Sequence, residues 1–284
     1  MVRSRSRRRA LFACGTALTA LAGCVTDSRS TPETAEPSPT PETATPQYDV
    51  PVQNLLITPS LVVAGDDSIG VEGAPSEQFV VVDVSDRGLA SSEDQSSPSD
   101  STYRLVTGSA TYDPVVNGQP GRIDGYSGAF WPQVYEGLRN QPVVFAVPKP
   151  LDASSVSFHW QGGDYAFGDQ LVQCLTRPPT AFTVREFSAP DTVADGREIT
   201  AMLVVENTGD HDGTFVGALN RIGPEVAYTP VTGIWLDITA GEQKTWTYSY
   251  TPTPSPNVED PRMQYVLEVR DGREDLNIDI SRDS

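Results

Sequence analysis

The chain has 284 residues, 20 of them Lys or Arg and 38 Asp or Glu, so its net charge at pH 7 is −18. Like charge opposes approach to nucleic acid or to an anionic membrane surface, which excludes both as partners recognised by charge. Of its cysteines, Cys14 and Cys24 lie at the extreme N-terminus; Cys174 stands alone beyond them, so no disulfide within the mature chain supports the fold.

Residues 1–23 read as a targeting segment. Arg3, Arg5, Arg7, Arg8 and Arg9 make a basic start, no acidic residue precedes Asp27, and an apolar stretch runs from Ala10 to Ala22. That stretch is shorter than the about 20 apolar residues needed to span a bilayer and suits the apolar core of an export signal. The string Ser6-Arg7-Arg8-Arg9-Ala10-Leu11-Phe12 resembles the twin-arginine export motif, with Arg7 and Arg8 as its pair. This resemblance implies export of a chain already folded. Leu21-Ala22-Gly23-Cys24 resembles a lipobox, in which small residues precede the cleaved bond and the following thiol accepts lipid. Cys14 fits less well, because Phe12 stands where a small residue is expected. The lipobox implies a mature chain that begins at Cys24 and is held by lipid at the extracytoplasmic face of the cell membrane. One short acyl chain anchors only marginally, so a two-chain lipid is expected.

Without the five leader arginines, 15 basic residues face 38 acidic ones, a net charge of −23. Lys149 and Lys244 are the only lysines. Acid excess with scarce lysine resembles the proteins of halophilic archaea. The resemblance implies a surface of hydrated carboxylates whose repulsion is screened by salt over a few ångströms.

Residues 24–47 follow as a tether. From Thr26 to Gln47 the composition is Thr, Pro, Glu, Ser and Ala, with too little apolar surface to order itself. The rest divides at Arg177-Pro178-Pro179-Thr180 into residues 48–177 and 178–284. In the first part the apolar runs Leu55–Ile57, Phe79–Val84, Tyr103–Val106, Val143–Val147, Val156–Trp160 and Tyr165–Leu175 predict strands. Val143, Phe145 and Val147 share one face, as do Val156, Phe158 and Trp160, a period of two that marks half-buried strands. In the second part Ile199, Ala201, Leu203 and Val205 share a face, and so do Trp246, Tyr248 and Tyr250. Tyr265, Leu267 and Val269 precede Asp271-Gly272, a two-residue hairpin signal. Beyond a turn near Gln133–Leu138, no helical period is evident. The fold class expected is all-β, with two tandem immunoglobulin-like sandwiches.

A more specific resemblance rests on Val204-Val205-Glu206-Asn207-Thr208-Gly209, Gly213-Thr214-Phe215, and Leu236-Asp237-Ile238-Thr239-Ala240-Gly241-Glu242 with Thr245-Trp246. These segments resemble the cell-adhesion-related Ig-like domains of archaeal and bacterial surface proteins, over Phe182 to Ile280. In that family the Asn-Thr-Gly string ends one strand and the Ala-Gly-Glu string turns between two others. Gln78-Phe79-Val80-Val81-Val82-Asp83 and Val144-Phe145-Ala146-Val147-Pro148 resemble, more loosely, the Ig-like domain of extracytoplasmic lipoproteins. Neither family brings a catalytic set.

Chemistry is sparse. Only His159 and His211 are available, and His159 alternates with the apolar face of its strand. A blue-copper site needs a Cys and His close together on one loop, and no His follows Cys174. Asp210-His211-Asp212-Gly213 offers too few oxygens for calcium and reads as a hairpin turn. Gly125-Tyr126-Ser127-Gly128-Ala129 fails the nucleophile-elbow pattern at its last position. No P-loop, His-Glu-x-x-His or Cys-x-x-Cys occurs. No catalytic residue, metal site or cofactor is therefore expected.

One aromatic stretch stands out. Tyr126, Phe130, Trp131 and Tyr135 lie in a Gly-punctuated segment and are candidate ligand-contact residues, as a platform for sugars or apolar side chains. The competing reading buries Phe130, Trp131 and Tyr135 in the first core, and exposure decides between them. The expected function is a non-catalytic binding or adhesion module for an envelope protein or polysaccharide. The alternative is an extracytoplasmic enzyme or ligand carrier with its site at the interdomain junction, near Pro178-Pro179.

Overall fold

The computed structural model describes residues 52–84, 103–117, 121–130, 135, 138, 141–160 and 163–282. The chain is built mostly from β-strands, with one helix among the described residues. No helix among them is long and apolar enough to cross a membrane. The leader, Arg7, Arg8, Cys24 and the tether lie outside the described residues.

The first half contributes β1 (Val52–Thr58), β2 (Leu61–Ala64), β3 (Ile69–Glu72), β4 (Glu77–Val84), β5 (Arg104–Thr107), β6 (Thr111–Tyr112), β7 (Val116–Asn117), β8 (Gly121–Arg122), β9 (Ala129–Phe130), β10 (Gln141–Pro148), β11 (Val156–Trp160) and β12 (Gly163–Ala166). They form three sheets, ordered β1-β4-β10-β7, β12-β11-β5-β6 and β3-β2-β9-β8. The first of these is the middle layer. Val80, Val82, Val84, Val143, Phe145 and Val147 pack on one side against Leu105, Val156 and Phe158. Phe79, Val81 and Val144 pack on the other side against Leu61, Val63 and Phe130.

Period two therefore described only one face of β10. Val144 and Ala146, between the expected core residues, are the sign that the second face is covered as well. In β4 the apolar run Phe79–Val82 has no alternation at all, the pattern of a strand buried on both faces. Each such side chain removed from water contributes about 1.5–3 kcal/mol, which is what holds this layer together.

The strand expected over Tyr165–Leu175 is corrected. β12 ends at Ala166, and α1 (Asp169–Thr176) follows. Leu175 is buried in the first core with Leu171 and Val172 packed beside it, a helical spacing. Asp169 in the first turn suits the positive end of the helix dipole. A short apolar run fits strand and helix alike, and here packing beneath β1 decides.

The second half contributes β13 (Phe182–Ser188), β14 (Thr192–Ala194), β15 (Ile199–Asn207), β16 (Gly213–Ile222), β17 (Thr229–Ile238), β18 (Gln243–Tyr250), β19 (Arg262–Val269) and β20 (Gly272–Ser281). Its sheets run β13-β15-β18 and β14-β20-β19-β16-β17. Between them lie Ile199, Ala201, Leu203, Val205, Phe215, Leu219, Tyr265 and Leu267. The β19–β20 hairpin turns at Arg270-Asp271, one residue earlier than expected, because Gly272 already pairs with Val269.

The two halves touch through β16, which is buried on both faces. Phe215 and Leu219 point into the core of the second half. Val216 and Ala218 point the other way and join Leu61, Val63 and Ile69 of the first half, with Trp235 packed beside them. Asn220, fully buried, completes that contact: its Oδ1 accepts the Ile69 N–H at 2.8 Å and its Nδ2 donates to the Ile69 carbonyl at 2.8 Å. One side-chain amide thus supplies β3 with the pair of bonds that a neighbouring strand would give.

Candidate functional site

The Pro178-Pro179 connection borders a groove of about 1390 Å³. One wall is β1, of which Asn54, Leu55, Leu56 and Ile57 all face the space. The facing wall is Ala181–Val184, at the start of β13. Side chains on one face of a strand recur every second residue, so four consecutive lining residues mean that the strand presents its edge. Both β1 and β13 are edge strands of their sheets. Trp235 and Val216 line the floor, with Tyr135 beneath.

The Asn-Thr-Gly segment fixes the β13 wall. Asn207 is fully buried and uses both ends of its amide. Its Nδ2 donates to the carbonyls of His211 at 2.8 Å and Ile238 at 2.9 Å. Its Oδ1 accepts from the Thr180 hydroxyl at 2.9 Å and the Gly209 N–H at 3.1 Å. Gly209 must be glycine here, since a Cβ would collide with the Thr180 hydroxyl and lie 2.8 Å from the Ala181 nitrogen. The backbone of Asn207 reaches the Ala-Gly-Glu turn: its N–H donates to Glu242 O at 3.0 Å and its carbonyl accepts the Gly241 N–H at 2.9 Å. Gly241 sits at φ +74°, the left-handed region that favours glycine. The two motifs quoted from the sequence are one structure, and it holds the chain where it enters the groove.

The other end of the groove is basic. Gln78, fully buried, donates to the carbonyls of Pro148 at 2.9 Å and Leu175 at 2.7 Å, and its Oε1 accepts from Lys149 Nζ at 3.3 Å. Burial lowers the ammonium pKa of Lys149, and the nearby Arg177 and Arg270 charges push the same way, against an opposing Cys174 contribution. Arg270 donates to the Ser60 hydroxyl at 2.7 Å and the Pro59 carbonyl at 3.0 Å, just beyond the end of β1. Burial lowers its pKa too. Lys149, Arg177 and Arg270 all line the groove, and the ion pairs of the described residues involve Arg104, Arg185, Arg262 and Arg273 instead.

Four carboxylates line the groove: Asp271 and Glu274 beside Arg270, and Asp212 and Asp237, which are engaged locally. Asp212 accepts the Ala240 N–H at 3.0 Å, and Asp237 accepts from the Thr214 hydroxyl at 2.6 Å. No group of three or more His, Cys, Asp or Glu residues able to hold a metal occurs among the described residues. His159 lies beside the Ser157 hydroxyl at 2.7 Å, and the His211 carbonyl closes the Asn207 turn.

The aromatic candidates fare differently. Phe130 is 1% exposed and Tyr135 4%, so the two rings follow the competing reading of burial and form no exposed platform, although Tyr135 borders the groove from beneath. They stack at 5.0 Å, and Tyr135 reaches Trp235 at 5.0 Å. The Tyr135 hydroxyl accepts the Val62 N–H at 2.8 Å and donates to the Val62 carbonyl at 3.0 Å, serving β2 as a neighbouring strand would. That pairing offsets the cost of taking the hydroxyl out of water. Tyr126 is half-buried and donates to Glu77 Oε2 at 3.3 Å. Burial, with Glu77 and Glu72 nearby, pushes its phenol up to about 12. Trp131 lies outside the described residues.

The groove residues Lys149, Arg177, Arg270 and Trp235 were not singled out by sequence. They are far apart along the chain, and only the scarcity of lysine marked Lys149 as unusual.

No family model matches the chain, and no curated protein matches it. Among solved structures, the β-glucosidase of Listeria innocua in complex with isofagomine is 14% identical at a TM-score of 0.30, over 36% of this chain and 16% of that one. The β-glucosidase EmGH1 of Erythrobacter marinus is 15% identical at 0.31, again over 36% and 16%. This chain thus spans 16% of the length of those enzymes. The CARDB domain of a Pyrococcus furiosus protein, in complex with di-metal ions, is 17% identical at 0.29, over 37% of this chain and 96% of that domain. Likeness at this level assigns neither a family nor an activity to the chain.

Proposed function

We propose that this protein is a lipid-anchored, non-catalytic binding module of the cell surface, built from two immunoglobulin-like sandwiches, which holds a segment of an envelope protein or polymer in the groove between them. The groove carries the reading. It is concave, bounded by two strand edges, floored by apolar and aromatic side chains, and charged at one end. Such a surface suits retention of a ligand by shape and hydrogen bonding. Two of its four lining carboxylates, Asp212 and Asp237, are tied to backbone and hydroxyl partners, so acid–base chemistry gains no support from them. The leader and lipobox supply the address, and the tether supplies reach from the membrane.

Capture from envelope extracts of the native organism, at its own salt concentration, tests the reading. Thr183→Trp adds bulk to the groove wall, whereas Thr247→Trp adds it to an exposed position on β18 away from the groove. A partner recovered by the wild type and by Thr247→Trp should fall about tenfold with Thr183→Trp, the equivalent of about 1.4 kcal/mol in affinity. Equal recovery by both variants, or background alone with all three proteins, contradicts the reading.

A further inference from the structure

The two groove walls are not equivalent. Edge strands invite further pairing, and proteins blunt them with charges, bulges or covering elements. β13 is blunted: it carries Arg185 and Glu186 and has a register shift between Val184 and Glu186. β1 reads Val-Gln-Asn-Leu-Leu-Ile-Thr, without a single charge, and its own register shift lies at the start, between Val52 and Asn54. From Asn54 to Thr58 its pairing with β4 is regular. Its outward side is therefore a straight, uncharged edge facing the groove.

On that edge the Leu55 N–H donates at 2.9 Å to the Oδ1 of its own neighbour, Asn54, a local bond that an incoming carbonyl would replace. An exposed side chain thus occupies the position where an added strand would place a carbonyl. The end of this strand also leads to the positive charge of the groove. Arg270 holds Pro59 and Ser60, directly after β1, and Lys149 bonds to Gln78, whose neighbour Phe79 pairs with Thr58. Three cations converge there, with Asp271 the carboxylate acting on Arg270, in a chain whose acidic residues outnumber its basic ones by 38 to 20.

We infer that the groove takes an extended acidic polypeptide segment, which adds as a strand to the outer edge of β1 and seats a carboxylate among Lys149, Arg177 and Arg270. The inference rests on the binding-module reading and deepens it. Main-chain hydrogen bonds supply the register, and the cations supply selection for acid at one position. A polysaccharide would satisfy the charge but not the alternating donors and acceptors of a strand edge.

The test measures fluorescence anisotropy of a short labelled peptide of alternating Thr and Glu, titrated with the exported chain. Saturable binding is expected. Arg177→Glu, at an exposed position, should weaken it about tenfold. Arg197→Glu makes the same charge change at an exposed position that does not line the groove, and should leave affinity within about twofold of wild type. Methylating alternate backbone nitrogens of the peptide, in the two possible phases, keeps its charge and should abolish binding in the phase that faces β1. Equal affinity for the parent and both methylated peptides overturns the inference, because charge alone would then explain binding. Tighter, Arg177-dependent binding of an oligogalacturonate overturns it in favour of a sugar acid. Absence of peptide binding, while a Thr183-sensitive partner is still recovered from the envelope, removes the acidic-strand inference and leaves the binding-module reading intact.

Discussion

Replacing Asn207 by alanine is expected to destabilise the second half of the chain by about 3 kcal/mol. The side chain is fully buried and makes four hydrogen bonds, so truncation removes one partner each from the Ile238 and His211 carbonyls, the Thr180 hydroxyl and the Gly209 N–H, of which Thr180 and His211 keep their mutual bond at 2.9 Å. An unpaired buried group costs about 1–3 kcal/mol. The turn at residues 208–212 can regain water at some of these atoms, whereas the buried Ile238 bond cannot, which sets the estimate at the top of the range for a single group. Asn207→Asp separates the two ends of the amide. It keeps an acceptor for Thr180 and Gly209 but turns an oxygen toward two carbonyls, and should cost at least as much as alanine. Urea unfolding of the exported chain reads both variants. An aspartate variant as stable as wild type would show that the donor end of Asn207 does nothing for the fold. The groove should suffer with the fold, because Thr180 enters the groove wall through its bond to Asn207.

The second large effect is expected at Asn220. Asn220→Leu keeps most of the volume and leaves both the N–H and the carbonyl of Ile69 without partners in a buried site. A cost of about 2–4 kcal/mol follows from two such groups. Its location matters more than its size, because the lost bonds join β16 to β3 and so join the halves. The Ile69 amide should exchange its hydrogen much faster in the variant than in wild type. Amides in the core of the second half, such as Leu203, should slow or hasten only with global stability. Unchanged protection at Ile69 would mean that another group takes over the bond and that the amide does not tie the halves together.

Sequence made the strands legible where alternation was clean. Ile199, Ala201, Leu203 and Val205 are all fully buried, and the Trp246, Tyr248 and Tyr250 face packs against the same core. It was less informative where a strand is covered on both sides. Phe79–Val84 and Phe215–Asn220 carry no period, and their burial comes from partners distant in the chain. The helix over Asp169–Thr176 escaped because eight residues hold too few turns for a period to appear, and a run containing Leu, Val and Leu suits either structure. The Asn-Thr-Gly and Ala-Gly-Glu strings were legible as turns, but not that one buried asparagine links them. The groove was legible only as a place, beside Pro178-Pro179. Its contents come from residues around 54, 149, 177, 235 and 270, which no local pattern connects. The aromatic stretch left two readings open for the converse reason. Four rings close in sequence suggest a shared surface, yet Phe130 and Tyr135 turn inward, where Val62 and Trp235 meet them.

A surface-bound groove requires an anchored chain, and the most direct measurement is the intact mass and membrane partition of the protein recovered from its native organism, wild type beside Cys24→Ser. The wild type should fractionate with membranes, begin at Cys24 and carry the added mass of a lipid, while the serine variant carries none and is released. A soluble wild-type chain that still bears residues 1–23 would contradict the anchoring, and with it the placing of the groove at the cell surface.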